Sequence, residues 1–119
     1  MTLEELYTKT GSDYQEVKGR FGSDALIQRF AMKFANDTSY QNLMNALEAN
    51  NLEEAFRAAH TMKGVAANLG FTALFQAAGE LTESLRDQKE PVDMTLVDAV
   101  QEQYKVVIEA LAEFKKQNS

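Results

Sequence analysis

Apolar residues recur at three- and four-residue spacing along most of this chain, and that period constrains the fold more than any other feature. Leu52, Ala55, Phe56, Ala59, Met62, Ala66 and Leu69 form a stripe that runs to Gly70, about five turns of helix at 3.6 residues per turn. Leu74, Ala77, Ala78, Leu81 and Leu85 repeat the pattern, and Pro91 breaks the chain before Val97, Val100, Tyr104, Val107, Leu111 and Phe114. Tyr40, Leu43, Met44 and Leu47 supply a further stripe. An apolar face one helix wide is stable only against other helices, so four such stripes joined by short loops predict an antiparallel four-helix bundle. With six glycines and one proline in 119 residues there is little to interrupt long helices.

Shorter stripes precede the bundle: Tyr14, Val17 and Phe21, then Ile27, Phe30, Ala31 and Phe34. Gly11-Ser12-Asp13 and Gly22-Ser23-Asp24 read as two copies of one signal, a glycine closing a helix and a serine capping the next. Thr2/Glu5, Ser12/Gln15, Thr38/Gln41 and Asn51/Glu54 have capping-box spacing. The expectation is an all-α chain folding as a single domain over 1–119, with N-terminal helices over 1–36 covering a bundle over 38–117.

Composition narrows the function classes. A net charge of −6 disfavours nucleic acid and anionic lipid as partners. The absence of cysteine removes disulfides, thiolate chemistry and the usual structural zinc site. One histidine and no acidic calcium loop leave no metal site expected. Apolar runs fall far short of the roughly 20 residues that span a bilayer, and Met1-Thr2-Leu3-Glu4-Glu5 lacks a basic signal-peptide front. A soluble, cytoplasmic monomer is expected.

The one histidine, His60, stands in Ala59-His60-Thr61-Met62-Lys63-Gly64. At about 100° per residue its ring falls to one side of the core-facing Ala59, on a flank shared with Gly64, Ala67 and Phe71, and is expected to meet solvent. A neutral imidazole keeps a lone pair for attack on phosphorus. Lys63, one turn on, can bury its stem and hold its charge near the incoming phosphoryl group, and Arg57 can assist from one turn before. Gly64 leaves the backbone open to an approaching partner, at a cost of about 1 kcal/mol in helix propensity relative to alanine. Phe71 and Ala67 are candidates for an apolar docking surface beside the ring.

The run Ala59-His60-Thr61-Met62-Lys63-Gly64-Val65-Ala66-Ala67-Asn68-Leu69-Gly70 resembles the signature of histidine-containing phosphotransfer (HPt) domains, roughly A-H-x-x-K-G-x-x-x-x-x-G, with every position filled. The likeness extends through Phe30, Phe34, Leu43, Leu47 and Asn51 before the motif, and through Leu74, Ala78, Leu81 and Arg86 after it. It implies a phosphorelay carrier rather than an autonomous kinase. His60 would accept a phosphoryl group from the aspartyl phosphate of one response-regulator receiver, or of a hybrid sensor histidine kinase, and pass it to another receiver. It implies no cofactor of the chain's own, any magnesium belonging to the receiver. Where the family often places Glu or Gln to orient the ring, this chain has Thr82, and Arg86 matches a place where some members carry a basic residue. Two other readings compete: an adaptor of this shape that is never phosphorylated, and a purely structural bundle. An intact His60, Lys63 and Gly64 argue against the adaptor; exposure decides the structural bundle, which has no need of a solvent-facing histidine beside Gly64 and which a buried His60 would favour.

Overall fold

The computed structural model describes residues 1–87 and 90–118, which are helical apart from turns and short connections, with no strand among them. In chain order they form α1 (Leu3–Lys9), α2 (Tyr14–Phe21), α3 (Asp24–Lys33), a 3₁₀ turn (Phe34–Asn36), α4 (Ser39–Glu48), α5 (Leu52–Leu69), α6 (Thr72–Leu85) and α7 (Met94–Gln117). Helices α4 to α7 make the expected bundle, packed in sequence order α4 on α5, α5 on α6 and α6 on α7.

Local chemistry sets most helix starts as the spacing implies. Thr2 and Glu5 form a reciprocal capping box, Ser23 accepts from the backbone N–H of Leu26, and Asn51 accepts from that of Glu54. Two caps differ. The α2 cap is Asp13 rather than Ser12, because the Ser12 hydroxyl pairs with that of Thr10 and accepts from the Thr72 backbone N–H, tying the start of α2 to the start of α6. Ahead of α4, Thr38 has helical backbone angles and makes no side-chain cap, and Asp37 accepts from the Ser39 N–H instead.

The apolar stripes meet in one continuous core to which every α-helix contributes. Leu43, Ala55, Ala59, Met62, Ala66, Leu74, Ala78, Leu81, Val100 and Leu111 are all buried within it. Tyr40 of α4 and Tyr104 of α7 stack with ring centroids 3.8 Å apart, closing the bundle between its first and last helices. One stripe residue departs from its expected place: Phe30 lies 37% exposed on α3, where its ring meets that of Phe21 at 5.7 Å.

The N-terminal helices cover the end of the bundle where α5 turns into α6. Tyr7 of α1 is buried, donates a hydrogen bond to the Leu69 carbonyl at 2.8 Å and stacks on Phe71 at 5.5 Å. Gly70 closes α5 in a left-handed conformation at φ 78°, and a Cβ there would collide with Val17 of α2. The residue is required both for the turn and for the seating of α2. Arg20 adds a hydrogen bond to the Ala67 carbonyl at 3.3 Å. Along the other side of the molecule, Lys9 pairs with Glu113 at 3.0 Å, fixing α1 against α7.

Candidate functional site

The α5 stripe that fills the core also fixes what faces outward. Ala59 and Met62 are buried, so the residues between and beside them turn to the surface: His60 and Gly64 are exposed, and Lys63 is half-buried. The imidazole is thus presented to solvent at mid-helix, clear of the core. A Cβ added at Gly64 would meet nothing within 4 Å, so the backbone one turn beyond the ring is an open floor.

Lys63 is placed by its neighbour helix. Its Cδ and Cε lie 3.7 and 3.6 Å from where a Cβ of Gly79 on α6 would stand, so the stem crosses α6 over a residue without a side chain. Its ammonium sits 5.9 Å from the Phe75 ring centroid, within cation–π range. Among the described residues no carboxylate lies within ion-pairing distance of that ammonium, whereas both arginines nearby are already matched. Arg57 pairs with Glu53 and Glu54 of its own helix at 2.7 Å each, and Arg86 makes a two-pronged pair with Glu83 at 2.8 and 3.0 Å. Of the three cations expected here, Lys63 alone makes no ion pair with a carboxylate among the described residues.

The helices α5 and α6 run antiparallel, with Phe56 beside Arg86 at one level and Lys63 beside Gly79 at another. His60 lies midway between those levels, across from the turn that carries Thr82 and Glu83. The Glu83 carboxyl is held below its usual range, chiefly by the hydrogen bond from Arg86, with the charges of Arg86, Lys63 and His60 adding in the same direction. Glu83 therefore belongs to the electrostatic surroundings of the ring.

Two candidate residues are corrected by their positions. Phe71 is fully buried, stacked on Tyr7 and packed 5.6 Å from Phe34, so it serves the core and offers no docking surface. The residue caps α6 from the turn after Gly70, where the helical wheel of α5 no longer applies. Thr82 is likewise fully buried, and its hydroxyl donates to the Ala78 carbonyl at 2.6 Å, a bond within α6 that leaves it no proton to donate to the ring. Ala67 remains half-buried at the surface of α5.

Sequence reasoning did not single out Phe56, Gly79 or Glu83. The Phe56 ring lies nearly parallel to the His60 ring, 4° between planes and 6.1 Å between centroids, and Phe56 carries the Arg86 guanidinium at 5.2 Å. The spacing of four between Phe56 and His60 is a local signal of the pair, but Phe56 reads equally well as part of the apolar stripe. Gly79 and Glu83 become neighbours of the site only once the register of α6 on α5 is known.

Among the described residues there is no group of three or more His, Cys, Asp or Glu able to hold a metal ion, and no helix long and apolar enough to cross a membrane. No curated protein and no solved structure gives a significant match to the chain. The family model of the Hpt domain matches residues 34–114, from the 3₁₀ turn before α4 to near the end of α7.

Proposed function

The chain belongs to the Hpt domain family, whose members carry phosphoryl groups on histidine in phosphorelays, and from that premise we propose that His60 is the phosphoacceptor of this chain. It takes its phosphoryl group from the aspartyl phosphate of a receiver domain, on a response regulator or a hybrid sensor histidine kinase, and passes it to a second receiver. The whole chain, 1–119, acts as one unit, the N-terminal helices bracing the α5–α6 corner at Gly70 while the ring stands at the middle of α5.

In the accepting step, the unprotonated ring nitrogen attacks phosphorus. The N–P bond forms as the P–O bond to the receiver's aspartate breaks, and the aspartate leaves as a free carboxylate. The other ring nitrogen keeps its proton. The reverse sequence delivers the group to the next aspartate. Lys63 offsets the negative charge that arrives, and Gly64 lets the receiver surface come close enough for in-line attack. The observation that carries this reading is the exposed His60 with one uncommitted cation, Lys63, braced beside it over Gly79.

The test is incubation with a radiolabelled phospho-receiver, comparing the native chain with His60→Gln. The native chain is expected to acquire acid-labile, base-stable label and the variant none, while Lys63→Ala is labelled more slowly. Equal labelling of the native chain and His60→Gln would overturn the proposal.

A further inference from the structure

A ring that must attack in line has to be aimed, and an exposed histidine has broad freedom about χ2. In this chain the residue opposite on α6, Thr82, is buried with its hydroxyl donated to Ala78, so it does not aim the ring. What does lie against the imidazole is Phe56, one turn earlier on α5, with the two planes 4° apart.

Phe56 is itself well fixed. It is half-buried and packs on the core, and the guanidinium of Arg86 sits 5.2 Å over its ring. Arg86 in turn is held by both carboxylate oxygens of Glu83, one turn back on α6. Each member is constrained by the next: the bidentate pair sets the guanidinium plane, the guanidinium covers one aromatic ring, and that ring lies along the imidazole. Aromatic pairs at such centroid separations favour defined relative orientations, and a cation over a ring face adds to that preference.

We infer that Phe56, capped by the Arg86–Glu83 pair, is the positioning residue for the His60 imidazole. Phe56 touches neither phosphorus nor receiver aspartate; it acts through the ring it lies beside. The role rests on His60 being the phosphoacceptor, and it gives Arg86 a function different from binding phosphate directly. Its cation aims the ring through Phe56.

Because the chain has one histidine, the imidazole C–H resonances of the unphosphorylated protein are observable without assignment. In Phe56→Leu they are expected to lose the ring-current displacement they show in the native chain, and in Phe56→Tyr to keep it. In phosphotransfer from a labelled receiver, Phe56→Leu should lower kcat by about ten-fold or more, leaving KM for the receiver near its native value, and Phe56→Tyr should restore kcat. Arg86→Gln should shift both readouts the same way by a smaller amount. Circular dichroism and thermal melting identify any variant that has lost its fold; if Phe56→Leu is one, Arg86→Gln, altered only at the surface, carries the test. Labelling of the native chain together with unchanged resonances and unchanged kcat in the folded variants would overturn the positioning role. Failure of the native chain to label at all would overturn the phosphoacceptor reading instead.

Discussion

Gly64 and Gly70 belong to one motif yet do different physical work. At Gly64 a Cβ would meet nothing, so Gly64→Ala should cost no packing and should gain helix propensity, raising stability by about 0.5–1 kcal/mol. On the proposed function, the same methyl would stand on the surface a receiver approaches. The expected outcome is a variant more resistant to urea and slower in phosphotransfer; equal transfer with native KM would show that the open floor is not used. His60 and Lys63 were legible as residues because their types and spacing are local properties of one helix. Thr82 was not, since whether a hydroxyl faces a neighbouring helix or folds back on its own depends on the rotation of α6. In the structure Thr82 is buried and its hydroxyl folds back on Ala78.

Among the elements, the α5–α6 hairpin decides the site, and its corner decides the hairpin. Gly70 holds positive φ where α5 stops, with the side chain of Val17 occupying the space a methyl would need. Gly70→Ala combines left-handed strain of about 1 kcal/mol or more with that collision, and is expected to lower stability by about 2–3 kcal/mol in urea denaturation. Any loss of transfer should then follow the unfolded fraction, in contrast to Gly64→Ala. Element identity was legible because the stripes are long and strictly helical, and the caps at Thr2, Ser23 and Asn51 followed from spacing alone. The caps at Asp13 and Asp37 did not, because Ser12 is drawn off by a residue sixty positions away and Thr38 has already entered helical geometry.

In the whole molecule, the N-terminal helices are joined to the bundle through a buried tyrosine. The Tyr7 hydroxyl donates to Leu69 and is removed from water, and burial pushes its pKa up to about 12 from the ordinary 10.0. The neutral phenol is the form the folded state favours. Its contribution to stability is therefore fully present below about pH 10 and is lost as the pH rises through about 12. Ultraviolet titration of tyrosinate should show Tyr7 ionising last, together with unfolding, and Tyr7→Phe should remove that alkaline step while costing about 1 kcal/mol at neutral pH for the lost hydrogen bond. Ionisation of Tyr7 near pH 10 in the folded protein would contradict this account.

The amino-acid sequence by itself determined the helical class, the break points and the histidine, lysine and glycine of the motif, because periodicity, capping and motif spacing are properties of neighbouring residues. Only the tertiary structure decided which cation stays free, that Phe71 supports the core, and that Phe56 and Glu83 surround His60. Those outcomes depend on how α6 is rotated and registered against α5. That geometry is set by the packing of Leu74, Ala78 and Leu81 against Ala59, Met62 and Ala66 in a shared core, and no single helix encodes it.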